Sequence, residues 1–469
     1  MRDHLAGFAV ERRISQLNCH WGKLSMKQCS CRMALALGIT FLSSGISLPA
    51  LAQEHLENAS IPAHVSMADA VRLFRERGFD LIVADATVDS VRGDAQIASA
   101  VANPAISGGV GRSFGFNSAS CPGCSALAWD VGVSDQSAVF DTLSGKRGLR
   151  SRTADLALVV ARQNRADTQR TLESMLRQQY LEAVYSRDAL DLAHESQSRL
   201  GHVMELNQAR FQHGAISQVD ALKVETEKLE ADQEVERAEF DLAEARFQLA
   251  FLLGVRGRVP DFEVDADLPR YRVPDNLGHA TVELLLERAR KQRPDLAAAH
   301  LQHERAGAAV QSAKRLRFPD IAISLGLSGQ GAGSDVSSPP TVSFGLTLTP
   351  PLFYRFQGEV QKAQADLRVQ DTLLAKTEAQ IVNDVTVALA QFQSTQRRVE
   401  RAEHGLLDRA RRTRDLVQIQ YEKGAASLLE YLDAQRMLIE TTQGYLRDLA
   451  DYWLAVVLIG EAVGLEIGP

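Results

Sequence analysis

Two periods of apolar residues take turns along this chain. Ile321, Ile323, Leu325 and Leu327 alternate with Ala322, Ser324, Gly326 and Ser328. After a Gly/Ser/Pro loop, Val342, Phe344, Leu346 and Leu348 alternate with Ser343, Gly345, Thr347 and Thr349. Strict alternation puts the apolar side chains on one face of an extended chain, so both runs read as amphipathic strands. An earlier block repeats the scheme with Leu127, Trp129, Val131 and Val133 against Ala128, Asp130, Gly132 and Ser134. The run after Pro104 is glycine-rich and predicts only a weak strand. Between strand blocks the period becomes helical. Neither proline nor glycine occurs between Gly148 and Gly201, and the helical pattern continues to about His213. A helix of about 60 residues, at ~1.5 Å each, is roughly 90–100 Å long. The second half repeats it from about Gly358 to Lys423. The segments that follow show heptad spacing: Leu432, Ile439 and Leu446 form one seam, Leu438, Tyr445, Tyr452 and Ile459 another, and Phe240 and Phe247 recur in the first half. That spacing predicts helices packed side by side with these residues in the core.

The blocks are copies of one another. An aromatic, a glycine, a serine and an acid recur as Phe211, Gly214, Ser217 and Asp220, and again as Tyr421, Gly424, Ser427 and Glu430. Asp80, Leu81 and Pro104 match Asp295, Leu296 and Pro319, and Ala154-Asp155-Leu156 matches Ala365-Asp366-Leu367. The chain is therefore a tandem duplication. Each half gives short helices, a β-hairpin, a very long helix, a tight turn and a return helix. Gly214 and Gly424 suit the left-handed end of a helix. Ser217 and Ser427 suit the start of the next, with Asp220 and Glu430 as capping-box partners.

Composition narrows the function. The net charge is −7, and Lys and Arg are spread through the helices, which argues against a nucleic-acid partner. From Met26 a short basic stretch with Lys27 and Arg32 precedes a mostly apolar run from Met33 to Leu48, and Ala50-Leu51-Ala52 precedes Gln53. This reads as a signal peptide cleaved after Ala52, with residues 1–25 an upstream extension or the result of a misplaced start codon. The apolar run falls short of the ~20 residues a membrane-spanning helix needs, and no lipidation box stands at the cleavage site. Cleavage leaves Cys121 and Cys124 as the remaining cysteines.

With no other segment apolar enough for a spanning helix, a membrane could be crossed only by strands. A soluble hairpin lying on a core shows the same alternation. In an exported chain with no further sheet, however, lipid forbids the open edges, and four strands fall short of the roughly eight in the smallest membrane barrels. Copies of the chain would have to join to close one.

Export, four such strands, two long helical hairpins and a tandem repeat together resemble the TolC-like outer-membrane efflux family. The resemblance spans about Met67 to Gly464. It rests on the repeated aromatic-x-x-Gly-x-x-Ser tip, on Asn103-Pro104 and Phe318-Pro319 before strands, and on Gly358-Glu359 opening a helix. It implies a mainly α protein with membrane β: a homotrimer with a 12-stranded β-barrel in outer-membrane lipid, continued by an α-helical barrel across the periplasm. Residues 1–52 would be the extension and signal peptide, 53–260 the first efflux repeat and 261–469 the second. The implied partners are a periplasmic adaptor (membrane fusion) protein and an inner-membrane pump, with no enzymatic activity and no cofactor. Gly145-Lys146-Arg147-Gly148-Leu149-Arg150 and Pro351-Leu352-Phe353-Tyr354-Arg355-Phe356-Gln357-Gly358 are similar to segments of CzcC-type heavy-metal cation exporters, with Phe356 where those carry Asn. That subclass implies an exit duct for a proton-driven pump of the resistance-nodulation-division type. Drug or organic-solvent efflux is the alternative within the class, and a soluble periplasmic coiled-coil scaffold is the alternative from another.

The resemblance also assigns roles at the tips. Glu430 and Asp433 would narrow the periplasmic aperture, where three chains place six carboxylates around one axis and favour cations. Glu430 has capping as a second role; Asp433 has none. Asp220 and Tyr421 match a latch between the tips, while Ala426 stands where the family usually has an arginine for a second link. Gly214, Ser217, Gly424 and Ser427 would meet the adaptor.

Other motifs imply little chemistry. Cys121-Pro-Gly-Cys124 lies in a Ser/Gly-rich stretch between strands, where a local disulfide or an inert loop is favoured over metal binding. A redox pair would want a strand-to-helix junction. His300 and His303 sit one helical turn apart without a third ligand, so no metal site is predicted. No phosphate loop, zincin motif or hydrolase elbow occurs.

Overall fold

The computed structural model describes residues 61–465 apart from 115, 118–124, 265–267, 279 and 332–338. The export segment with its Ala52 site and the Cys121/Cys124 pair lie outside the described residues. The described residues fall within one unit, Asn58–Pro469.

The first half runs β1 (His64–Val65), α1 (Met67–Arg77), α2 (Phe79–Ser99), β2 (Ala105–Arg112), β3 (Leu127–Ser134), α3 (Ala138–Leu143), α4 (Lys146–Gln212) and α5 (Gln218–Leu252). The second runs β4 (Glu263–Val264), α6 (Val282–Gln292), α7 (Pro294–Arg315), β5 (Asp320–Gln330), β6 (Thr341–Thr349), α8 (Gln357–Arg401), α9 (Leu407–Glu422) and α10 (Leu428–Val463). Ser66 and Thr281 cap α1 and α6 by accepting from the Asp69 and Leu284 amides. At 67 residues α4 is about 100 Å long. The expected unbroken helix of the second half is instead divided by a π-helical turn at Ala402–Leu406. The wider turn takes up an extra residue and rotates the face that α9 presents.

The strands form one antiparallel sheet in the order β2-β3-β5-β6. Its register lines up Ile106, Val133, Leu325 and Phe344 in one row and Gly108, Val131, Leu327 and Val342 in another. The row between them is Ser107, Gly132, Gly326 and Ser343. One face is thus apolar and the other small and polar. The apolar face is open in the single chain, with Ile106 81% and Phe344 71% exposed. β2 and β6 are unpaired edges, so the chain alone does not close a barrel. The glycine-rich run after Pro104 forms a full eight-residue strand. A Cβ at Gly109 would meet the Asp130 carboxylate opposite, which would have to turn aside to admit it. No helix among the described residues is long and apolar enough to cross a membrane.

The main core sits around the C-terminal half of α10, where Tyr452, Trp453, Val456 and Ile459 pack with Leu176, Tyr180 and Leu181 of α4, Leu249 of α5, Leu285 of α6 and Phe392 of α8. The Trp453 indole donates to the Pro269 carbonyl and the Tyr452 hydroxyl to the Arg272 carbonyl, both at 2.8 Å, which ties the segment between the repeats to the core. Leu432, Leu438, Tyr452 and Ile459 are buried, as their spacing predicts. Phe240 and Phe247 are not: they are 66% and 58% exposed. The buried stripe of α5 runs instead through Val224, Ala231, Ala238 and Ala245, with Val235, Leu242 and Leu249 beside it. These residues keep the seven-residue spacing, but small alanines face α4 and the phenylalanines face away. Below the core α5 packs on α4, α4 on α10, and α10 on α8 and α9, leaving α5 and α9 at the two edges of the layer.

Candidate functional site at the helical tips

Both hairpins end in the same turn. Gly214 and Gly424 have φ of +71° and +74°, and the amides of Ala215 and Ala425 return to the Arg210 and Gln420 carbonyls. No atom lies within 4 Å of a Cβ at either glycine, so the requirement is conformational and not steric crowding. Ser217 and Ser427 then start the return helices. At Ser427 the capping box is complete: its amide donates to Glu430 Oε2 at 2.7 Å, and the Glu430 amide donates to Ser427 Oγ at 3.2 Å. In the first repeat Asp220 donates its amide to Ser217 Oγ at 3.2 Å and accepts from the Ser217 hydroxyl at 2.8 Å, without the reciprocal backbone bond. Aspartate is one methylene shorter than glutamate. The bonds from the Ser427 amide and hydroxyl hold the Glu430 carboxyl below the usual glutamate range.

Asp433 lies one turn further along α10. It is exposed and has no hydrogen-bond or ion-pair partner among the described residues. The three-residue spacing sets Glu430 and Asp433 on one open face of α10. Arg436 pairs with Glu227 of α5.

Tyr421 is buried, and its hydroxyl donates to Asn207 Oδ1 at 2.7 Å. Asn207 is only 1% exposed and donates its amide to the Val203 carbonyl at 2.8 Å. The Tyr421 ring stacks on Tyr431 with centroids 5.3 Å apart, and the Arg210 guanidinium lies 4.9 Å from its centroid. Within one chain, then, Tyr421 fastens α9 to α4 through Asn207, while Asp220 is engaged at its own cap. Asn207 has a signal in the sequence: Ala193, Leu200 and Asn207 recur every seven residues and are all buried, which makes the asparagine a polar residue in a packed seam. Among the described residues no group of three or more His, Cys, Asp or Glu side chains could hold a metal. His303 faces Asp371 at 2.7 Å.

A duplicated chain with an unclosed sheet, apolar on one face, and two long helical hairpins is built as a segment of a membrane conduit. Residues 70–255 and 285–464 match the outer membrane efflux protein family, and the chain belongs to that family. The cobalt-zinc-cadmium resistance protein CzcC of Cupriavidus metallidurans is 24% identical over 448 residues, covering 92% of this chain and 99% of that protein. The cation efflux system protein CusC of Escherichia coli is 30% identical over 220 residues, 45% of this chain and 46% of that protein. In fold, a crystal structure of CusC matches with a TM-score of 0.71 at 19% identity, over 85% of this chain and 92% of that one. The Campylobacter jejuni CmeC outer-membrane channel matches with a TM-score of 0.72 at 16% identity, over 85% of each. The protein is therefore an outer-membrane efflux channel whose helices extend into the periplasm, a transport conduit and not an enzyme.

Proposed function

We propose that three copies of this chain close a 12-stranded barrel in the outer membrane and form the exit duct of a tripartite heavy-metal cation exporter. The observation that carries the assembly is the sheet: four strands with a continuous apolar face and two unpaired edges. In lipid such edges must be paired, and joining β6 of one copy to β2 of the next does so in a ring. The helical layer supports the same arrangement. Its α5 edge exposes Leu222, Leu229, Phe240 and Phe247 beside Glu225, Glu230, Glu236 and Glu239. Its α9 edge exposes Leu416 and Ile419 beside Arg409 and Arg412. An exposed apolar seam on each edge, with charges of both signs beside it, suits head-to-tail closure.

On this reading the mature chain starts after Ala52, with repeats at 53–260 and 261–469. Glu430 and Asp433 ring the periplasmic aperture. Tyr421, through Asn207, holds the tips closed, while Asp220, the other latch residue the resemblance implies, is engaged at its own cap. Gly214, Ser217, Gly424 and Ser427 meet a periplasmic adaptor that couples the duct to an inner-membrane pump. The oxidising compartment suits a disulfide between Cys121 and Cys124. The cargo rests on the names borne by relatives, CzcC, CusC and the probable outer-membrane lipoprotein SilC of Salmonella typhimurium. Two measurements test the proposal. Membranes washed at alkaline pH should retain the protein, and detergent extracts should give a trimer by native mass spectrometry; a washed-off monomer overturns the assembly. A deletion strain should gain sensitivity to cobalt, zinc or cadmium; sensitivity to drugs or solvents alone would reassign the cargo.

A further inference from the structure

A cavity of about 310 Å³ opens in the groove between α4, α9 and α10, a short way above the tips. Its wall includes Gln435, which is 3% exposed and has no hydrogen-bond partner for either Nε2 or Oε1. A buried amide with both ends unpaired is out of keeping with a finished protein interior. Three guanidiniums line the same cavity. Arg199 of α4 pairs with Glu195. Arg414 of α9 lies 3.0 Å from Asp415, yet its buried Nε is misaligned for a hydrogen bond. Arg411 is exposed and has no hydrogen-bond or ion-pair partner among the described residues. The wall therefore holds three cations against two carboxylates, plus an amide offering both a donor and an acceptor.

Water would satisfy Gln435 but leave the excess positive charge. A metal cation would meet three arginines. A fully deprotonated anion has no proton to give Gln435 Oε1, which would then have to draw one from a guanidinium or a water. The ligand that satisfies every group is a small oxyanion that keeps one proton: its oxygens accept from Arg411, Arg414 and Gln435 Nε2, and its O–H donates to Gln435 Oε1. We propose that this groove binds such an anion, of the monohydrogen phosphate type, as a bridge from α9 to α4 across α10. Gln435 follows Asp433 by two residues, about 200° around the helix, so the bound anion would brace α10 from behind the Asp433 face. Every residue of the site belongs to one chain.

The test uses the full-length protein purified in detergent, titrated with sodium phosphate against sodium chloride at matched ionic strength and read by thermal unfolding and calorimetry. Phosphate should stabilise the protein saturably and beyond chloride, with sulfate, which lacks the proton, weaker. Gln435→Leu, an apolar replacement that should fold at least as well, and Arg411→Gln on the exposed rim should each weaken phosphate binding by roughly tenfold or more. The proposal is overturned if phosphate acts no better than chloride, or if Gln435→Leu responds as the native protein does.

Discussion

Replacing Tyr421 by phenylalanine removes one atom and leaves the ring where it stacks on Tyr431. The lost hydroxyl is the donor to Asn207 Oδ1, in a seam where Asn207 is 1% exposed and water cannot readily take its place. Stranding a buried acceptor costs about 1–3 kcal/mol. If the bond exists only while the tips are closed, the same energy shifts the closed-to-open ratio by roughly five- to 150-fold. Single-channel recording of the purified protein measures this directly: Tyr421→Phe should raise open probability, and Asn207→Leu should do likewise. In the double variant the second change should add little, because the two residues share one bond. An unchanged open probability in Tyr421→Phe, with the protein still assembled, refutes the fastening. A rise in Asp220→Asn with Tyr421→Phe silent would hand the role back to Asp220.

Other outcomes follow from the same geometry. Asp433→Ala, which removes an unpartnered exposed carboxylate, should raise single-channel conductance and lower cation preference; unchanged conductance removes Asp433 from the aperture. Trp453→Ala empties a fully buried site and strands the Pro269 carbonyl, so thermal or denaturant unfolding should show a loss of about 3–5 kcal/mol. Phe240→Ser with Phe247→Ser should leave helix content intact by circular dichroism but weaken the proposed trimer in native mass spectrometry, since each ring withdrawn from water is worth roughly 1.5–3 kcal/mol. Glu430 carries a sign that can be checked against acid. Its carboxyl is held low by the Ser427 amide, so the cap is complete above the ordinary glutamate range and is lost as pH falls through the lowered folded value. Amide protection at the start of α10, taken relative to the intrinsic exchange rate at each pH, should therefore fall in acid in the native protein, and Glu430→Gln should flatten that dependence.

What the sequence discloses here is set by how far apart the interacting residues lie. The strands are legible because alternation is local: Leu325 and Phe344 declare their face before their pairing is known, and the register then sets them opposite each other. The tips are legible for the same reason, since a glycine at φ +74° and a serine that caps its own helix need partners only a few residues away. The fastening of Tyr421 to Asn207 spans 214 positions and announces itself only as an asparagine in heptad register with Ala193 and Leu200. The misplaced seam in α5 has a different cause. Phe240 and Phe247 have the stronger hydrophobic signal, but α4 approaches along Ala231, Ala238 and Ala245. Small residues let the helices come close, and periodicity alone does not say which of two parallel stripes faces the partner. A helix with one buried stripe of alanine and one exposed stripe of phenylalanine has two faces to satisfy, and among the described residues only α4 packs extensively along it. The exposed phenylalanine stripe is thus the helical counterpart of the unpaired sheet edges, and both support the proposed packing against further copies.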